Sequence, residues 1–515
     1  MKSQRKKLIM TMCMMTIFYT SIFIYFIPGP QSVILFNKIA GLVEDIEHEF
    51  SLVFSRNSQQ QTSPSDLKTS STKITKKEEE SRPTYFIKAA LNEESYQING
   101  QMNVTIDNPG TDSVLFYTYP YSWSSMRIKK VLINEQEVTF SYDQQQLIIK
   151  NPKKEKELHL FIEFETPIPR KGTRFGYKDD VWLITTWYPM LGVLDDSQNW
   201  IERPDPIGMG DPFLFDYANY VVEWTSSPSI KWLSSGTLLS EKMVNGKRKT
   251  TWEVNGVRNF ALAGSKNYQI KRLKFDDTTV SIALTNEKNF EQIMNIIKFS
   301  FPLFGSRYGQ LPYSDVAVIE TSYDTNFALE YPNLAVFSKD MYSDNQIKHW
   351  LPHEIGHMWW YNAVGVNEVK SGWIDEGLAE LGVVLYLENR YSKSEGEKLR
   401  NKYRKRNQSL TNRSPHKTMD VGLYGFKSKQ EFYDSWYARS ADMFLTLRDE
   451  IGEQKFNSFL RTLYSMNIGK TMSEESIVKA LDESLFLKTD LFQNWLHDPY
   501  HQTKWDVKVT DSFKK

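Results

Sequence analysis

From about Pro83 to Tyr268 apolar and polar side chains alternate with period two, as Leu158, Leu160, Ile162 and Phe164 do against His159, Phe161, Glu163 and Glu165. Successive side chains of a strand point to opposite faces, so this alternation predicts half-buried strands. Turns such as Asn108-Pro109-Gly110 and Asn245-Gly246 separate them. After about Lys288 the period lengthens toward 3.6, with Phe290, Ile293, Met294 and Ile297 on one face, and helical patterns dominate to the end. The expectation is an α+β multidomain chain: a β-sheet domain over 83–270, then a mainly helical domain over 271–515. No repeat recurs at a fixed period.

The N-terminal pattern differs. Lys2, Arg5, Lys6 and Lys7 precede Leu8 to Ile27, a run of 20 residues without a charge. At ~1.5 Å per residue that run spans a bilayer core of ~30 Å, so residues 1–30 read as a single-pass transmembrane anchor. The cationic flank stays in the cytoplasm and the rest of the chain lies outside it. A cleaved secretory signal is the alternative, although Ile27-Pro28-Gly29-Pro30 stands where a small-residue cleavage site would be expected. Over 31–54, Leu35, Ile39, Leu42, Ile46, Phe50 and Val53 recur at helical steps opposite Glu44, Asp45, Glu47 and Glu49, which predicts an amphipathic juxtamembrane helix. Its acidic face favours packing on a partner or on itself over adhesion to anionic lipid. Residues 55–82 are rich in Gln, Ser, Thr, Lys and Glu and lack aromatics, the composition of a disordered tether.

Charge narrows the partners. The chain of 515 residues has 63 basic and 63 acidic side chains, so no polyanionic partner is implied and nucleic acid is set aside. A 40% hydrophobic content excludes wholesale disorder. Cys13 is the single cysteine. Intramolecular disulfides and Cys-rich zinc sites are therefore excluded, and any metal must be held by His and carboxylates.

His353-Glu354-Ile355-Gly356-His357 is such a set. Residues four apart lie on one helix face, so both imidazoles can hold one Zn²⁺ while Glu354 stands beside the open coordination position. A third ligand is needed, and the carboxylates of Trp373-Ile374-Asp375-Glu376-Gly377-Leu378-Ala379-Glu380 follow 18 to 23 residues after His357. Four residues before His353, His349 competes, but Pro352 is expected near the helix start, leaving His349 outside its first turn as an ordinary polar residue. Glu380, one turn beyond Glu376, could orient a ligand imidazole or sit at the surface. Asp375 is turned about 100° from Glu376 and receives no role.

These residues resemble the M1 zinc metallopeptidases, the gluzincin group that includes aminopeptidase N. The likeness rests on His-Glu-Ile-Gly-His-Met-Trp-Trp from His353, followed after eighteen intervening residues by Glu376 within Trp-Ile-Asp-Glu-Gly. It extends to Phe327-Ala328-Leu329-Glu330-Tyr331, where the family has Gly-Ala-Met-Glu-Asn, and to Tyr437-Ala438-Arg439-Ser440-Ala441, where it has Tyr-x-Lys-Gly-Ala. Looser likeness reaches from about Pro83 to Pro499. The resemblance implies a saddle-like β domain and a thermolysin-like catalytic domain holding one zinc per chain. It also implies His353, His357 and Glu376 as zinc ligands, Glu354 as general base, Tyr437 as stabiliser of the tetrahedral intermediate, and Glu330 as the partner of a substrate α-amine.

Glu354 would accept a proton from zinc-activated water and return it to the leaving nitrogen, and Arg439 could balance charge behind Tyr437. The expected function is a membrane-anchored, extracytoplasmic peptidase acting on peptides, an aminopeptidase in the first instance. Phe327 and Tyr331 replace the family's Gly and Asn, which keeps an endopeptidase or other zinc hydrolase on the same scaffold as an alternative. A catalytically inactive binding module is a further one. The sequence carries no signal for oligomeric state.

Overall fold

The computed structural model describes residues 82–122, 124–152, 155–205, 208–323, 327–485 and 495–498. The expected anchor, juxtamembrane helix and all but the last residue of the tether lie outside them. Among the described residues no helix is long and apolar enough to cross a membrane.

The alternating segments form an eight-stranded sheet in the order 237–244, 247–257, 218–226, 84–92, 97–107, 157–167, 127–133, 136–137. Strand Glu157–Pro167 buries Leu158, Leu160, Ile162 and Phe164 and turns the alternate positions outward. Gly100 on the neighbouring strand faces Phe164, whose ring would lie 2.3 Å from a Cβ there, so only glycine admits it. Asn245 and Gly246 both take positive φ, 49° and 75°, which closes the hairpin between 237–244 and 247–257. Two four-stranded sheets complete the β region.

A five-stranded mixed sheet follows, ordered 269–275, 278–284, 315–321, 334–338, 328–331. Four of these strands, and most of the fifth, fall inside the 271–515 stretch expected to be mainly helical. Val316, Ala317, Val318 and Ile319 are all buried, so the strand shows no alternation and periodicity alone cannot reveal it. The edge strand Ala328–Tyr331 pairs antiparallel with Leu334–Ser338 and carries Glu330 toward the helical layer.

Helix α1 (Phe290–Arg307) buries Phe290, Ile293 and Ile297 as the pattern predicts. Helices α2 (Asp344–Gly356), α3 (Trp373–Arg390) and α4 (Lys393–Arg413) come next, and α5 (Ser440–Ile451) continues from a π-helix over Tyr433–Arg439. Every residue of α3 from Trp373 to Tyr386 is buried, making it the axis of the catalytic half. Helix α2 begins two turns earlier than expected. Ser343 is its N-cap and Pro352 lies inside it, costing one intrahelical bond, so His349 is a helical residue.

Candidate active site

Two close helix approaches build the centre. His353 and Glu354 lie in the last turn of α2 and His357 caps its end, while Glu376 stands in the first turn of α3. Gly377 lets α3 approach α5: a Cβ there would meet Ser440 Oγ at 1.9 Å. Ser440 Oγ donates instead to the Trp373 carbonyl at 2.6 Å.

The Nε2 atoms of His353 and His357 are 3.0 Å apart. Glu376 Oε2 lies 3.2 Å from the first and 3.4 Å from the second, buried and without an aligned hydrogen bond of its own. Burial works against charge on these groups, yet the carboxylate holds the His353 pKa up near 9 and the imidazoles hold Glu376 down to about 2. Two nitrogens and one oxygen therefore converge with a cationic charge already favoured between them. That donor set fits a zinc ion, which would take the place of the imidazole protons. Glu330, Glu354 and His357 form a second convergent group whose ligand atoms lie within 4.8 Å of one another.

Glu354 Oε2 is buried without a hydrogen-bond partner, and burial raises its pKa to about 7. Glu380 is fully buried rather than at the surface. Its Oε1 lies 3.2 Å from His353 Nδ1 and 3.0 Å from His349 Nε2, while Oε2 accepts the Tyr403 hydroxyl. His349 is thus neither a zinc ligand nor an ordinary polar residue: it reaches the centre through Glu380. His357 is oriented by its Nδ1 against the Trp360 carbonyl at 3.0 Å.

The π-helix carries Tyr437 into the site. Its ring stacks on His353 at 5.6 Å and 5°, and its hydroxyl donates to Glu376 Oε1. Arg439 does not stand as a countercharge behind it. The guanidinium is buried and donates to the carbonyls of Trp495 and Asp498, and Leu496 O accepts from Met419 N at 3.0 Å, whose own carbonyl receives Trp436 Nε1 at 3.0 Å. The segment 495–498 therefore braces the π-helix from behind.

Glu330 is 8% exposed on the wall facing Glu354, His353 and Tyr437. Burial raises its pKa, opposed chiefly by His357. The β domain contributes two residues that no motif announces. Arg174 is ion-paired to Asp211, and Asp211 in turn faces Glu330. Phe327 lies beneath Arg174 at 5.8 Å, and Tyr331 is buried in the apolar cluster under the sheet. Asp375, given no role from sequence, is also buried and faces Glu368, which is ion-paired to Arg258 of the β region at 2.9 Å.

Residues 287–496 match the family profile of the peptidase family M1 domain. No curated protein matches the chain. Among solved structures, a mutant M1 zinc metallopeptidase from Deinococcus radiodurans bound to a Tyr-Ser-Ala substrate aligns with a TM-score of 0.60 and 14% identity, over 82% of this chain and 96% of that one. A further structure of an M1 zinc metallopeptidase from Deinococcus radiodurans gives 0.59 at 14% identity and the same coverage. A two-domain M1 zinc metallopeptidase mutant bound to L-tryptophan gives 0.57 at 14% identity, over 78% and 91%. At this identity the structural likeness is one of fold.

Proposed function

Residues 287–496 of this chain form a peptidase family M1 domain, and we propose that the protein works as a zinc-dependent aminopeptidase, removing N-terminal residues from peptides. One observation carries the reading: Glu330 is buried on the wall of the cavity that His353, Glu354 and Tyr437 also line, with a second carboxylate, Asp211, beside it and only Asp211 ion-paired to Arg174. A free α-ammonium supplies the further cation such a wall favours.

His353, His357 and Glu376 would hold the zinc, one per chain. When bound, zinc supplies Lewis acidity that polarises a carbonyl and acidifies water. The protein's own groups do the rest. Glu354 Oε2 accepts a proton from water and delivers it to the leaving nitrogen, and its raised pKa suits both transfers near neutrality. Tyr437 turns its hydroxyl from Glu376 to the developing oxyanion, a contact of a kind worth about 3–4 kcal/mol. Glu380 keeps His353 in the orientation that leaves Nε2 facing the centre.

The test is a pair of identical peptides, one N-acetylated, assayed with the zinc-loaded enzyme. Cleavage should favour the free amine by roughly thirty-fold or more, and Glu330→Ala should abolish that preference. Equal cleavage of both, unchanged by Glu330→Ala, would replace the aminopeptidase with an endopeptidase.

Residues 8–27 are the basis for a second proposal, that the catalytic region is carried outside the cytoplasm on one membrane span. Protease added to intact cells should release a fragment beginning within residues 55–82; a mature protein starting near Gln31 and free in the medium would overturn it.

A further inference from the structure

We propose that the departing part of the peptide is bound through its carboxylates by a cationic cleft along α4, making carboxylate-bearing peptides the preferred substrate class. The inference rests on the aminopeptidase reading, in which Glu330 fixes the substrate's first residue. With the N-terminus at that wall, the remaining chain must leave past the opposite one. Trp350, Tyr433 and Tyr437 form that wall, and they also line an adjoining cavity of about 410 Å³ that Leu399, Lys402 and Arg406 complete. His349, Leu399 and Lys402 in turn border an outer cavity of about 1070 Å³. Small-molecule pockets run to about 300–1,000 Å³. The two cavities together exceed that range and lead outward from the catalytic centre, as a groove for a peptide segment would.

The charge of this path is not that of the chain. The whole protein balances 63 basic against 63 acidic residues, whereas α4 has eight Lys and Arg against Glu395 and Glu397 alone. Most of the α4 cations are satisfied: Lys398 pairs with Glu395 at 2.6 Å, Arg400 with Asp442 at 3.2 Å, Arg404 with Glu397 at 3.1 Å, Arg406 with Asp434 at 3.6 Å, and Arg413 with Asp434 as well, while Lys348 of α2 pairs with Asp344 at 2.8 Å. Arg390, Lys402 and Lys405 line the outer cavity with no carboxylate partner among the described residues, and all three are exposed. Lys402 lies three residues before Lys405, so the two unpaired ammonium groups fall on one helix surface. Glu380, the one carboxylate of the inner cavity, is already engaged by His349, His353 and Tyr403. Unmatched cations along the exit of a peptidase centre complement carboxylates a few residues beyond the cut. Each such exposed contact is weak, but several act together and steer the encounter.

The experiment uses the full-length zinc enzyme and free-amine peptides that share their first two residues and continue with three Glu, three Gln or three Lys. Each peptide is made as C-terminal acid and as amide, and an aminoacyl reporter with no peptide beyond the cut runs alongside. The Glu peptide should exceed the Gln peptide in kcat/KM by about tenfold and the Lys peptide by more, chiefly through KM, and the difference should shrink as salt is raised. An advantage that survives amidation assigns it to side-chain carboxylates; one confined to the free acids assigns it to the terminal carboxylate. Lys402→Glu with Lys405→Glu should invert the order and favour the Lys peptide, a gain that misfolding cannot produce. Equal kcat/KM for the three peptides, with the reporter cleaved, overturns the cleft while leaving the aminopeptidase in place. An unchanged order in the doubly reversed variant does the same. A zinc-loaded enzyme that cleaves neither reporter nor peptide overturns the aminopeptidase reading, and this inference falls with it.

Discussion

The hydroxyl of Tyr437 is held by Glu376 Oε1, so the residue rests against a metal-ligand candidate and has to swing only a short way to meet an oxyanion. Tyr437→Phe keeps the ring stacked on His353 and removes only that donor. Turnover should fall about 10²–10³-fold with little change in KM, because the contact forms in the transition state; near-normal turnover in steady-state assays would reduce Tyr437 to a packing residue. Glu354→Gln should keep one zinc per chain by elemental analysis yet lose nearly all hydrolysis, whereas His357→Ala should lose the zinc itself. The two histidines and Glu354 were legible in the sequence because a helix fixes what residues one and four apart can do, and Glu376 was reached through the family motif. Arg174 and Asp211 were not legible. They arrive from a different domain, and nothing local to Arg170-Lys171-Gly172-Thr173-Arg174 marks it as facing Glu330.

Between elements, the closest constraint is Gly377. A methyl group there would overlap Ser440 Oγ and press within 2.6 Å of Ser440 Cβ, and neither helix can retreat without moving Glu376 or the π-helix. Gly377→Ala should therefore destabilise by about 1–3 kcal/mol despite its better helix propensity. Thermal unfolding should show this loss, and adding Ser440→Gly should restore part of it; additive effects would deny the contact. The same scale shows where pattern reading stops. Strand Asp315–Thr321 was hidden because a strand covered on both faces has no polar side to alternate. The start of α2 was misplaced because Pro352 marks an early helical position only when no neighbouring packing compensates its missing N–H. Strands such as Glu157–Pro167 were plain because one face meets water.

Across the whole molecule, the β region and the catalytic helices are joined by a buried ion pair, Arg258 with Glu368, and Arg258 also donates to the Val366 carbonyl at 2.6 Å. Arg258→Met would leave Glu368 and the adjacent Asp375 buried without a cation. A loss of about 3–5 kcal/mol is expected in denaturant unfolding, and Glu368→Gln added to it should recover much of that loss, since the burden is the orphaned charge rather than the missing contact. The bracing of the π-helix by residues 495–498 has a consequence for biosynthesis. Glu376 is already in place 119 residues before Trp495 is made, so the donor set of His353, His357 and Glu376 precedes the brace in translation. Tyr437 is locked only when the ribosome has delivered Trp495 to Asp498. A chain not yet extended to Asp498 would then carry metal without competence, and the cell would be spared a working peptidase until that segment is made. A chain ending at residue 494 should load zinc and remain inactive, while full activity in that truncation would show that the brace is dispensable.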